Sequence, residues 1–325
     1  MKKNLSYCTL LLLFIFNNEA YAQDPIFTQF FVNQIYTNPA MTGTAADVNG
    51  KTASRFVLNY RNQWPSEKGT FTTINLAWDK QISALRGGLG FMLNRDIEGP
   101  GAITTNSVTA MYAYSSQLSK KLFLNAGIKM SFVNRHLDFN RIPLTDPTYP
   151  IIDPNQPIPD PNVYYPNFGA GLMTYSQHFY VGLAVHNIFE PNNSFYGSRD
   201  GIVPRRYTLH GGGVIKPFKS KIHFYPDMQL NIYQKFNVLQ TGVNVNIHKI
   251  VFGYQAKTAV GSVKSLFENT GVIGYKSNKF LALYSLGYVK IGNEMVPTHE
   301  VSMRYLIAHK NSITRETGVS RKPWL

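Results

Sequence analysis

Apolar and polar residues alternate along the chain in stretches of about ten residues, and nothing else in the sequence limits the fold so tightly. Ile74, Leu76 and Trp78 alternate with Thr73, Asn75 and Ala77. Leu122, Leu124, Ala126, Ile128, Met130 and Phe132 alternate with Asn125, Gly127, Lys129 and Ser131. Leu239, Val243, Val245 and Ile247 alternate with Gln240, Gly242, Asn244 and Asn246. Successive side chains of a strand take opposite faces, so each stretch presents one apolar face and one small or polar face. A soluble sandwich also alternates, but its strands average five or six residues, whereas a membrane-spanning strand needs about ten.

The stretches number about fourteen, an even count that suits an outer-membrane barrel. They lie near 53–60, 70–79, 86–95, 104–116, 121–134, 164–175, 178–188, 205–216, 221–234, 238–247, 249–257, 268–277, 279–290 and 297–308. Alternate connections are mostly long, at 61–69, 96–103, 135–163, 189–204, 258–267 and 291–296, with 235–237 the exception. Those between them are tight, at 117–120, 176–177, 217–220, 248 and 278. Sorting loops by length onto two ends is the polarity of an outer-membrane barrel with both termini in the periplasm. Tyr112, Tyr114, Tyr175, Tyr180, Tyr284 and Tyr288 stand near strand ends, where such barrels carry aromatic girdles. The sequence therefore predicts an all-β fold, a transmembrane antiparallel barrel of about fourteen strands spanning 51–309. The connection 142–162 carries three Asp-Pro steps and predicts a stiff loop rather than a strand or a calcium site.

Composition agrees. Charged residues are 15%, well under the usual quarter of a soluble chain, and aromatics reach 14%. Lys2 and Lys3, the apolar Leu10–Phe16 and Ala20-Tyr21-Ala22 form a secretory signal pattern over 1–22. Cys8, the single cysteine, falls inside it, so no disulfide is expected in the exported chain. The formal charge of +14 points to anionic lipid or an acidic partner in an exported protein, not to nucleic acid, or to basic residues scattered over loops and lumen. Arg55, Arg61, Arg95, Lys129 and Arg304 fall in or beside strands. Some lie on the polar face, and these read either as an anion-selecting lumen or, the favoured alternative, as groups paired with polar neighbours inside a filled barrel.

Chemistry is sparse. None of the eight histidines has a metal or metalloprotease spacing, there is no Gly-x-Ser-x-Gly elbow, and no cofactor motif occurs. His299 and Glu300 adjoin on a strand and should face opposite ways. The chain is expected not to be an enzyme.

Residues 23–50 break the pattern. Phe27, Phe30, Phe31, Gln34 and Ile35 share one face at helical spacing. Asp24 can cap such a helix, Pro25 fits its first position, and Asn38-Pro39 ends it after about three turns. The segment predicts either a hatch in the lumen or a periplasmic docking element; three phenylalanines needing cover favour the hatch.

The segment also resembles the start of the PorP/SprF family of type IX secretion proteins, in Gln23-Asp24-Pro25, Phe27-Thr28-Gln29, Asn38-Pro39-Ala40 and Gly43. Further pieces are similar in order: Tyr60-Arg61-Asn62-Gln63-Trp64, the glycine-rich Gly87–Asp96, the hairpin Pro166–Pro191, and Thr298–Ile307 with His299-Glu300. Met41, Thr42 and the tail 310–325 depart from the family. The resemblance implies an outer-membrane barrel of the type IX secretion and gliding apparatus. It implies help with export or surface anchoring of a large adhesin bearing a type IX C-terminal domain. It also implies periplasmic ring or peptidoglycan-linked partners. The alternative is a plugged channel for small or hydrophobic solutes.

Overall fold

The computed structural model describes residues 25–46, 52–65, 70–99, 101–141, 160–197, 201–217, 222–234, 236–260, 267–291 and 294–308. The signal-like stretch 1–22, Asp24, the body of the proline-rich connection and the tail 310–325 lie outside these residues.

Fourteen antiparallel strands close into one barrel. They are β1 Ala53–Gln63, β2 Phe71–Ile82, β3 Gly87–Glu98, β4 Ile103–Ser119, β5 Leu122–Leu137, β6 Asn162–Tyr175 and β7 Phe179–His186. Then follow β8 Arg206–Gly213, β9 Ile222–Ile232, β10 Asn237–Ile247, β11 Ile250–Val260, β12 Phe267–Lys276, β13 Phe280–Ile291 and β14 Glu294–Ala308. Each strand pairs with its sequence neighbours, and β1 pairs with β14 from Ala53↔Ala308 to Gln63↔Thr298. Closure leaves no strand edge in lipid, where an unpaired amide is expensive.

The alternation sets which face meets what. Leu76, Phe91, Leu93, Val108, Ile128, Met130, Phe132 and Leu172 point outward and are exposed. Asn59, Asn75, Asn125, Gln240, Asn244 and Ser302 point inward and are buried. The apolar band is thus on the outside, as lipid requires, and the polar face lines the lumen.

Two connections read as long are short. Residues 96–103 shrink to 99–102, and 291–296 to 292–293, because β3, β4, β13 and β14 run on past the apolar band. Beyond the band both faces meet water, so polar residues such as Thr104 and Thr105 stay in the ladder without alternating.

Fourteen strands enclose more space than their own side chains fill; eight suffice for a barrel packed by its wall alone. Here residues 25–46 occupy the interior. Phe31, Val32, Ile35, Ala40 and Met41 form one core cluster with Val57, Met92, Met111, Phe123, Met173, Leu281 and Leu283 from the wall.

The predicted three-turn helix is corrected. Residues 28–32 form turns, α1 covers only Gln34–Thr37, and Pro39–Met41 form a 3-10 turn. Pro25 is not a helical residue, and the proposed cap Asp24 lies outside the described residues. The wall explains the difference, since it takes amides that a helix would have used internally. Thr28 N and Gln29 N both donate to the Glu300 carboxylate at 2.8 Å. The stop at Asn38-Pro39 holds: Asn38 is extended, with φ −150° and ψ 121°.

Candidate functional site

The site is the contact between residues 25–46 and the lumen wall, built in three levels. At the level nearest the long connections, Arg61 Nη1 lies 2.9 Å from Glu300 Oε2 and donates to Thr28 Oγ1 at 2.6 Å. Gln29 Nε2 donates to Ser285 Oγ at 2.9 Å and to the Glu300 carbonyl at 3.2 Å. Gln240 Nε2 donates to the Thr28 carbonyl at 2.6 Å. Behind them Lys257 Nζ and Glu268 Oε2 are 2.5 Å apart, with Arg61 3.5 Å from Glu268.

At mid-height Asn33 Nδ2 donates to Asn59 Oδ1 at 2.8 Å and Asn75 Oδ1 at 2.6 Å. On the opposite wall the Thr37 carbonyl accepts from His186 Nε2 at 3.1 Å. Asn38 Oδ1 accepts from Ala40 N at 2.8 Å, capping the 3-10 turn. Its Nδ2 reaches the carbonyls of Leu172 and Leu183, each at 3.1 Å. Asn125 Nδ2 donates to the Ala40 carbonyl at 3.0 Å.

At the level where β1 begins and β14 ends, Arg55 forks onto Asp79, with Nε–Oδ1 2.7 Å and Nη2–Oδ2 3.0 Å. Arg55 also donates to Gln34 Oε1 and to the Met41 carbonyl. Asp79 Oδ2 accepts Gly43 N at 2.7 Å. Gly43 has φ +75°, and a Cβ on it would stand 2.5 Å from the Cα of Gly88, so glycine at both places lets two backbones touch.

The charges obey a simple rule. The segment 25–46 contains no Asp, Glu, Lys, Arg or His. Three ion pairs of the wall are directly opposed across neighbouring strands: Arg55↔Asp79, Arg61↔Glu300 and Lys257↔Glu268. In these pairs the wall balances its own charge, and spare lone pairs of Glu300 and Asp79 hold an uncharged chain. A buried pair set this way costs desolvation but leaves no bare charge. Arg61 and Glu300 are each about 1% exposed in their side chains.

The residues singled out from the sequence divide into groups. Gln29, Arg61 and Glu300, from three distant motifs, meet in one cluster. Phe27 and Phe30 are buried, Phe27 edge-on to Tyr36 at 5.0 Å, and the Tyr36 hydroxyl donates to the Pro25 carbonyl at 2.6 Å. Asn38 and Pro39 form the capped turn, and Asp96, buried, accepts from Thr73 Oγ1 at 2.6 Å. Trp64 (φ 57°) ends β1, packs edge-on to Phe71 at 5.5 Å, and donates its amide to the Pro297 carbonyl. The Gln63 carbonyl accepts from Thr70 Oγ1 at 3.2 Å. Tyr60 points outward, away from the lumen. His299 and Glu300 do face opposite ways: His299 Nδ1 is 2.8 Å from the Tyr284 hydroxyl outside, while Glu300 is buried inside.

Of the five basic residues in or beside strands, Arg55 and Arg61 are paired within the lumen, and Lys129 and Arg304 face it. Arg95 is not on the polar face: it projects outward. Sequence reasoning missed Asp79, Lys257, Glu268 and the Asn33–Asn59–Asn75 amides; inward parity with opposite charge in register was the signal. A cavity of about 100 Å³ remains beside the segment, lined by Lys129, Arg135, Arg206, Asp96 and Glu98 among others. Among the described residues no cluster of His, Cys, Asp and Glu could hold a metal.

Asn38→Ala should loosen the segment without opening the barrel. It removes a cap and three wall contacts, to Leu172, Leu183 and His210, about 2 kcal/mol together. The Ala40 amide should then exchange its hydrogen roughly thirtyfold faster while strand amides stay unchanged.

A closed antiparallel barrel with an outward apolar band and a chain-filled lumen defines an outer-membrane-type β-barrel. The description "type IX secretion system membrane protein PorP/SprF" matches residues 19–305. The chain belongs to that family. Among solved structures it is similar in fold to the Pseudomonas putida toluene transporter TodX, at 10% identity over 89% of this chain and 99% of that one, TM-score 0.53. A Pseudomonas aeruginosa FadL homologue is 12% identical over 82% of this chain and 92% of that chain, TM-score 0.46. No curated protein matches the sequence significantly.

Proposed function

We propose that this protein is a non-enzymatic outer-membrane partner in type IX secretion, assisting export or surface anchoring of a large adhesin-like protein with a type IX C-terminal domain. It holds its partner from the loops and rim; it does not pass it through its own lumen. The family supports the secretion role. The observation that carries the holding role is the convergence of Gln29, Arg61 and Glu300 on closing the barrel. Periplasmic ring or peptidoglycan-linked components would meet the rim of the tight turns, where β1 begins and β14 ends, and the partner would meet the long connections.

The test is a deletion strain read by surface labelling. Loss of one large surface protein, with the rest of the secreted set intact, is expected. Full display of every large adhesin would sink the proposal. Gentle detergent extraction of the native complex should co-purify that same protein. The channel alternative predicts instead solute flux through the reconstituted barrel with residues 25–46 in place.

A further inference from the structure

On the outer face of β3, β4 and β5, three polar side chains lie side by side at the end of the apolar band nearest the long connections. Arg95, Asn106 and Asn134 are consecutive cross-strand partners, so their outward side chains form one row. Tyr60 and Ile74 continue the row on one side, and Tyr164 on the other. One step toward the membrane centre, the outward row is Leu76, Leu93, Val108 and Phe132. A groove of about 300 Å³ lies between the two rows, lined by their residues from β2 to β5 and not by Tyr60 or Tyr164.

The row marks the upper edge of the apolar band. From the outward Tyr114 to Asn106 on β4 the vertical distance is roughly 20 Å, taking a rise of about 3.3 Å per residue and a tilt of about 40°, close to the band height of such barrels. Flanking tyrosines at the same height fit the aromatic girdle. Among the described residues nothing ion-pairs with or hydrogen-bonds to the Arg95 guanidinium, and Asn134 Nδ2 is buried with no partner. No carboxylate occupies an outward position on β2 to β6, because Asp79, Asp96 and Glu98 all face the lumen. An uncompensated guanidinium beside unpaired amide donors, directly above an apolar groove, matches a phosphate carried on an acyl chain.

We propose that this face binds the phosphate-bearing headgroup of one outer-leaflet glycolipid. Arg95 holds the phosphate, Asn106 and Asn134 donate to its oxygens, and an acyl chain lies in the groove over Leu93, Val108 and Phe132. Such a lipid fixes the barrel's depth and rotation at the end that carries the long connections.

Native mass spectrometry of the mature protein tests this, with lipid A as the probe and phosphatidylcholine as the zwitterionic control. The wild type is expected to retain one lipid A at least tenfold better than phosphatidylcholine, and Arg95→Glu to lose that preference. Lys80→Glu, which removes the same charge at the other end of the band, should keep it. Excess inorganic phosphate should not displace the lipid. If Arg95→Glu fails the heat-shift test for a folded barrel, the apolar pair Asn106→Leu and Asn134→Leu takes its place, and a tenfold loss is again expected. Equal retention by wild type and variant, equal retention of the two lipids, or displacement by phosphate alone would each overturn the assignment.

Discussion

Glu300→Ala is expected to release residues 25–46 while leaving the barrel closed. Glu300 accepts the amides of Thr28 and Gln29 and pairs with Arg61, all inside the lumen. Two orphaned amides cost the bound segment about 1–3 kcal/mol each. Arg61 loses its nearer partner within the wall but keeps Glu268 3.5 Å away, so its charge is not left bare. The wall ladder itself uses backbone groups that the substitution does not touch. The segment's bound population should therefore fall by roughly a hundredfold or more, since each 1.4 kcal/mol is tenfold. Two measurements read this. Chymotrypsin should cut at Phe27, Phe30, Phe31 or Tyr36 in the folded variant; trypsin cannot, because the segment has no Lys or Arg. Planar bilayers should show conductance absent from the wild type. Glu300→Gln keeps an acceptor and should fall between. A variant that stays protease-resistant and closed would mean the carboxylate is not what holds the segment.

How much of this was legible depends on the physics at each position. The fourteen strands were, because lipid outside and polar groups inside force a strict period of two. Where strands rise beyond the lipid the rule lapses, and the ends of β3, β4, β13 and β14 read as loops. The helical spacing of Phe27, Phe30, Phe31, Gln34 and Ile35 misled for a related reason. The spacing implies one buried face, but the segment is buried on all sides, so Thr28, Gln29 and Asn33 are as enclosed as the phenylalanines. Its amides find wall acceptors, and the helix shrinks to Gln34–Thr37.

The pairings inside the lumen were half legible. Arg55 and Asp79 share a hairpin, as do Lys257 and Glu268, so hairpin register alone brings each pair together. Arg61 and Glu300 lie at opposite ends of the sequence and meet only because the barrel closes. The motifs named both residues without saying that they touch. The outward turn of Arg95 follows from parity on β3, where Asp96 points in.

The glycines on the inward face give the second large effect. Gly127 lies on β5 under the 3-10 turn, and any Cβ there would stand inside the contact distance of Ala40 N and Pro39 C. Gly171 on β6 is likewise covered by the Asn38 side chain. The contacts at Gly127 are backbone atoms, which cannot swing aside as a side-chain tip can. Valine is a strong strand former, so Gly127→Val should leave the wall sound while evicting residues 38–43. Gly271→Val, whose Cβ meets nothing, is the matched control and should behave as wild type. Gly127→Val is expected to make the purified barrel conduct and the cell leak large antibiotics. A disulfide between Asn33→Cys and Asn75→Cys, whose side chains are hydrogen-bonded in the lumen, should reverse both in a chain whose single cysteine is Cys8. Display of the secreted partner then separates two roles for the segment. If display survives while the lumen leaks, residues 25–46 act as a stopper and the holding surface lies on the loops and rim. If display fails even when the disulfide restores the seal, the native packing around Gly127 or Asn33 is itself part of the holding surface.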